Sequence, residues 1–268
     1  MQRKELALLQ HIKTIIQWEL DRVDVVINDD GSASSMYDIR VGSKEKPEIA
    51  IEFTMAVNEE FTETWNIGPG KGVIYCTEAK GNWSIELKAG ASIKKFKKNL
   101  PFLLKMLESQ QRYNVRLNGL MKVREPSLFN YLSSFGITQA HCSLEQGKGK
   151  VCLNVPVPDG AVSETGEVLV SWLTEFLYSK RNEDNLNKLQ ISGATNNHLF
   201  ILVAISGAEF PAWYYLSNNL EHLPTEPPKL PEPINGLWVK SDFNEGKGLR
   251  WDGKAWKIFS TVVNVCNK

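Results

Sequence analysis

Residues 49 to 53, Ile49-Ala50-Ile51-Glu52-Phe53, set one carboxylate inside a run that is otherwise apolar at both odd and even positions. A strand with one wet face alternates apolar and polar residues, whereas a short run apolar at both parities must be covered on both faces. Helices packed on the two sides of a sheet supply that cover, so the chain is expected to be α/β, with α+β as the alternative. Glu52 then sits where an unpaired charge is costly, and its neighbours must explain it.

The flanking segments extend this reading. Leu6, Leu8, Leu9, Ile12, Ile15, Ile16 and Leu20 recur at spacings of three and four, which predicts an amphipathic helix ending near Leu20. Residues 23–27 and 36–41, joined by a turn at 28–31, read as a hairpin, and 49–57 as a third strand. Strands are expected at 73–77 and 83–88, a helix at 92–109, a helix at 128–135, and strands at 137–144 and 150–155. One long helix is expected from Glu167 to about Leu189, then a buried strand at 199–205 and a helix at 212–220. The five prolines of 223–233 require an extended connector. A strand at 237–240 and a hairpin over 249–256, turning on Asp252-Gly253, close the chain. Early and late strands are expected to share one sheet.

The 268 residues suit one large domain or two modest ones. No apolar run approaches the ~20 residues that a membrane span needs, and charges interrupt the first twenty residues, so no membrane partner and a cytoplasmic location are expected. Cys76, Cys142, Cys152 and Cys266 lack metal or disulfide spacing and read as reduced thiols. The 31 basic and 31 acidic residues balance overall, but not locally. Residues 1–66 hold 7 Lys/Arg against 13 Asp/Glu, a net of −6, and residues 80–125 hold 11 against 3, a net of +8. No phosphate-cradling Gly-x-x-x-x-Gly-Lys loop and no Gly-x-Ser-x-Gly elbow occur, and His11, His141, His198 and His222 have no partners at metal-ligand spacing.

Asp38 on the second strand and Glu52 on the third can meet across antiparallel neighbours, and Glu19 near the end of the first helix can add a third acid. Clustered hard oxygens suit Mg or Mn, which activate water and neutralise phosphate charge. The competing reading is a salt bridge, for instance from Glu52 to Arg40.

The first helix with Glu19, then Tyr37-Asp38-Ile39-Arg40, then Ile49-Ala50-Ile51-Glu52-Phe53-Thr54, resembles the core of the restriction-endonuclease-like superfamily, the PD-D/E-x-K nucleases. Residues 183–189 followed by 198–203 resemble the helix and next strand of that fold. The resemblance implies a mixed sheet flanked by helices, formed by 1–57 and 163–220, with 58–162 as an insertion carrying the basic helix and 221–268 as connector and C-terminal hairpin. It implies a metal-dependent nuclease of DNA or RNA in which Asp38 and Glu52 hold the metal and Glu19 assists. Arrangements of this kind resemble bacterial proteins, some near defence loci. Thr54 stands where the family carries lysine, and Lys188 is the residue expected to replace that cation.

Lys94, Lys95, Lys97 and Lys98 form the expected phosphate-binding face of the basic helix, with a solvated face as the competing reading. Glu86-Leu87-Lys88 offers a rival acidic-x-lysine outside the expected order of elements. A catalytically inactive endonuclease-fold binding or scaffold protein is the alternative function, a small-molecule hydrolase or protein-interaction module a third. A homodimer is compatible with any of them.

Overall fold

The computed structural model describes residues 3–29, 35–144, 149–156 and 165–261. The elements run α1 (Arg3–Leu20), β1 (Val25–Ile27), β2 (Ile39–Gly42), β3 (Pro47–Ala56), α2 (Glu59–Ile67), β4 (Ile74–Tyr75), β5 (Asn82–Leu87), α3 (Ile93–Ser109), β6 (Asn114–Arg116), α4 (Gly119–Arg124), α5 (Pro126–Ser133), β7 (Ile137–Ser143) and β8 (Lys150–Asn154). They continue with α6 (Glu167–Leu177), α7 (Glu183–Ile191), β9 (Asn196–Val203), α8 (Phe210–Asn218), β10 (Gly236–Ser241), β11 (Lys247–Trp251) and β12 (Trp256–Ser260). The protein is mixed α/β, as the doubly covered strand requires. No helix among the described residues is long and apolar enough to cross a membrane.

The chain divides into two compact units, Met1–Val57 with Pro158–Lys268, and Asn58–Val157. In the first, seven strands lie in the order β1-β2-β3-β9-β10-β11-β12. β3, β9 and β10 are mutually parallel, and antiparallel pairs extend the sheet on both sides. One face packs on Leu9, Ile12, Ile15 and Ile16 of α1 through Ile39, Ile51, Phe200 and Trp238. The other packs on α6, α7 and α8 through Ala50, Ala56, Leu199 and Ile201. Ala50 and Ile51 thus bury opposite faces of one strand, both at 0% exposure.

Beyond the connector, β10 lies parallel beside β9 and carries β11 and β12 into the same sheet, so early and late strands share it. One expectation is corrected here. The helix expected over 167–189 is two helices. After α6 the Ser179 hydroxyl and the Asn182 amide both donate to the Phe176 carbonyl, each at 2.6 Å. They take the carbonyl that a continuing helix would use, and a 3-10 turn over Lys180–Asn182 redirects the chain into α7. The 28–31 turn and the boundary placed at 162/163 reach into residues outside the described ones, as does Cys266.

In the second unit a five-stranded sheet, order β4-β8-β5-β7-β6, packs on α3. The stripe Ile93, Phe96, Leu100, Leu103, Leu104 and Leu107 is buried against Trp83, Ile85 and Leu87 of β5. Glu108 is buried at the end of that stripe and accepts hydrogen bonds from the amides of Lys80 and Gly81 and from Trp83 Nε1. α2, β6 and α4, absent from the sequence reading, also belong to this unit. α2 and α4 are capped by Asn58 and Asn118, whose side chains accept from the amides of Phe61 and Met121.

Candidate functional site

The register that pairs Ile39 with Ile51 and Arg40 with Ala50 sets Asp38 opposite Glu52 at the mouth of the β2–β3 pair. Since Ile39 and Ile51 point to α1, the alternation directs Asp38 and Glu52 to the other side, toward α7. Asp38 Oδ2 accepts a hydrogen bond from the Phe53 amide at 2.7 Å. Glu52 is 2% exposed, and its Oε1 accepts from Lys188 Nζ at 2.8 Å. Lys188 reaches it from α7, where Asp184, one turn earlier, lies 3.5 Å from the same ammonium. Glu52 Oε2 is buried without a hydrogen-bond partner.

The electrostatics of this pair are those of excess negative charge. Burial pushes the Glu52 carboxyl up to about 8, the charge of Asp38 adds to the rise, and Lys188 opposes it. Asp38 is pushed up to about 6, again chiefly by burial, with the Phe53 amide and Lys188 opposing and Asp29 and Glu5 contributing further repulsion. Burial alone would lower Lys188, but the hydrogen bond and charge of Glu52, then Asp184 and Asp38, outweigh it and the ammonium is raised. That rise belongs to the pH range in which Glu52 is ionised. One ammonium therefore faces the buried Glu52 and the half-buried Asp38, and without another cation the cluster retains a proton near neutrality.

The remaining predicted residues fall elsewhere. Glu19 lies 3.7 Å from Arg250 Nη1 on β11, and the acid of α1 that acts on Asp38 is Glu5. Fourteen residues of helix separate Glu5 from Glu19, roughly 21 Å, so one end of α1 cannot serve for the other. Both fall at the spacing of the apolar stripe, Glu5 four before Leu9 and Glu19 three after Ile16. The topology decides between them: the chain leaves the end of α1, turns back through β1, and begins β2 near the helix start. Arg40 gives Nη1 to Asn28 Oδ1 at 3.3 Å, so it is Lys188, not Arg40, that pairs with Glu52. Thr54 shares the Glu52 face of β3, in register with Ile201 of β9. Glu86 of the rival motif accepts from the Thr138 hydroxyl on β7 and is a satisfied strand pair.

In the second unit, two of the four lysines on α3 are engaged within the unit. Lys95 donates to the Ser134 carbonyl and lies 5.2 Å from the centre of the Phe135 ring, and Lys97 donates to the Ile67 carbonyl. Lys94 and Lys98 are exposed.

The Asp38–Glu52 donor set suits a hard cation of the magnesium type. A divalent ion would supply the charge the ammonium does not, and the orphaned Glu52 Oε2 is an oxygen in need of a positive partner. Among the described residues no group of three or more His, Cys, Asp or Glu side chains is arranged to hold a metal. Two carboxylates, with water and substrate phosphate as the remaining ligands, are how Mg²⁺ is commonly held. Comparison of the chain with protein-family models, curated proteins and solved structures gave no match in any of the three.

Proposed function

We propose that this chain is a magnesium- or manganese-dependent hydrolase of nucleic-acid phosphodiesters, with Asp38, Glu52 and Lys188 as its centre. The observation that carries the reading is the imbalance of the cluster: a buried carboxylate with an orphaned oxygen and a half-buried one beside it, against one ammonium. A structural ion pair needs one acid per base, and burying a second acid beside it destabilises the fold. The order helix, antiparallel meander, helix, parallel strand also agrees with the nuclease resemblance. The lysine delivered from α7 stands in for the one missing at position 54.

A bound divalent ion would neutralise charge on the scissile phosphate and lower the pKa of an attacking water. Asp38 and Glu52 would hold it. Lys188 favours the ionised form of Glu52 and holds one of its oxygens, and its flexible stem lets the ammonium turn to the phosphate as negative charge develops there.

Calorimetric titration with manganese, paired with cleavage assays on DNA and RNA, tests the assignment. Asp38→Ala and Glu52→Ala are each expected to abolish manganese binding in a folded protein. Lys188→Met is expected to retain binding and lose cleavage, with some activity regained on adding Thr54→Lys. Absence of manganese binding in the wild type, or normal cleavage by Lys188→Met, would assign the three residues to an inert charge cluster and favour the binding-protein alternative.

A further inference from the structure

Within the second unit, a crevice of about 230 Å³ opens between β6 and the α4–α5 corner. Its lining holds three guanidinium groups, Arg112, Arg116 and Arg124, against one carboxylate, Glu125. Arg112 Nη2 is paired with Glu125 Oε2 at 2.8 Å, which consumes the only acid present. Arg116 on β6 and Arg124 at the end of α4 are exposed, and the crevice offers neither of them an anion. Asn114 and Asn118 line the same space, and Asn118 already uses its carbonyl oxygen to cap α4. Its amide hydrogens therefore remain as donors. A concave surface that presents donors and uncompensated positive charge is complementary to phosphate, which guanidinium recognises in a planar, two-pronged fashion.

We infer that this crevice binds the phosphodiester backbone of a single nucleic-acid strand. Three observations favour a strand over an isolated anion. The crevice is open and has room for a phosphate with its attached sugar. It lies in the 80–125 segment, whose net charge of +8 extends positive potential beyond the three arginines. Leu120, on the crevice wall, is 58% exposed, and Val123 on the same helix is 80% exposed, giving apolar surface for sugars and bases beside the charged groups. The inference moves the sequence-predicted phosphate contact from the α3 lysines, two of which are occupied by carbonyls, to the arginines of β6 and α4. It stands apart from the Asp38–Glu52 reading, because it requires neither a metal ion nor cleavage.

Fluorescence anisotropy of a labelled 20-nucleotide oligothymidylate, titrated with the full chain in EDTA at several salt concentrations, tests it. EDTA silences the carboxylate site, so the binding read in it is independent of any metal. Arg116→Gln and Arg124→Gln are each expected to weaken binding roughly tenfold or more, as loss of a charge-assisted contact does. Each should also lower the log–log salt slope by roughly 0.7. Arg116→Lys should keep the slope and lose only part of the affinity. Both positions are exposed, so unchanged melting curves establish that the variants fold. Wild-type affinity and slope in Arg116→Gln/Arg124→Gln would overturn the inference, as would no binding by the wild type at 50 mM salt or below. A phosphoserine peptide that outcompetes the oligonucleotide at the same arginines would replace the strand with a phosphoprotein partner.

Discussion

Glu52, buried, and His198, half-buried, are ionisable groups in one sheet, and they bend the pH dependence of stability in opposite directions. Glu52 and Asp38 have folded-state pKa values above their ordinary ones, so the folded protein binds protons more tightly than the unfolded chain. Their contribution is complete below the ordinary carboxylate range and is lost as pH rises through about 6 and then 8, about 1.4 kcal/mol for each tenfold change in proton affinity. Glu52→Gln in metal-free buffer is therefore expected to flatten the fall in melting temperature between pH 5 and 8.5. His198 is pushed down to about 4 by burial and by the charge of Arg250, and its Nδ1 accepts from Trp238 Nε1. A depressed histidine is carried neutral by the fold, so stability is lost as pH falls from about 6.5 toward 4. His198→Gln should remove that acid limb in a melting series from pH 4 to 7. If either variant keeps the wild-type slope on its own limb, that group is not what bends the curve. At this scale the sequence was informative about Glu52, because an acid in an apolar strand is visible in five letters. It was silent on Glu5 over Glu19, because both share the helical stripe and only the path of the hairpin separates them.

Elements set up the site by their interruptions as much as by their periodicity. The apolar pattern of 167–189 reads as one helix, and the break comes from two short polar side chains, Ser179 and Asn182, that claim the Phe176 carbonyl. Periodicity carries no record of that capture, although Ser and Asn in tandem with a charged turn are its residues. The strands were more legible: β3, β9 and the β11–β12 hairpin follow from doubly apolar runs and the Asp-Gly turn. β6, three residues long, has too few positions to show a period. Close packing between elements gives a second test. A Cβ at Gly236 on β10 would lie 2.2 Å from His198 Cδ2 on β9, in a ring already fixed by Trp238. Gly236→Ala is expected to cost about 1–3 kcal/mol, read by urea unfolding. In the second unit, Glu108→Leu would strand the three donors that now converge on one carboxylate, Lys80 and Gly81 amides and Trp83 Nε1. A loss of about 3 kcal/mol or more is expected, and Glu108→Gln, which keeps an accepting oxygen, should recover part of it. Equal losses in the two variants would mean that the carboxylate's charge, and not its hydrogen bonds, holds the β5 end of α3.

Each of the two units has its own hydrophobic core, and each carries one of the proposed sites, the cation site on the α7 face of the seven-stranded sheet and the phosphate crevice beside β6. Net charge divides along the same lines, 14 Lys/Arg against 8 Asp/Glu over residues 58–157, a net of +6, and 17 against 23 over the rest of the chain, a net of −6. A ligand that binds only the folded form of one region slows its amide exchange by the free energy of binding, about 2.7 kcal/mol or roughly a hundredfold at one hundred times Kd. Hydrogen exchange read by mass spectrometry therefore separates the two assignments in one molecule. Manganese alone is expected to slow the amides of β2, β3 and α7, above all that of Phe53, which is bonded to Asp38. It should leave β6 and α4 unchanged. The oligothymidylate in EDTA should do the reverse, slowing residues 112–125 and leaving β3 as it was. Protection of β6 by manganese, in wild type and in Asp38→Ala alike, would place the cation on the second unit and dissolve the carboxylate assignment. Protection of β3 by the strand in EDTA would show that the sheet carrying Asp38 and Glu52 engages nucleic acid without a metal, and the division of labour between the units would have to be redrawn.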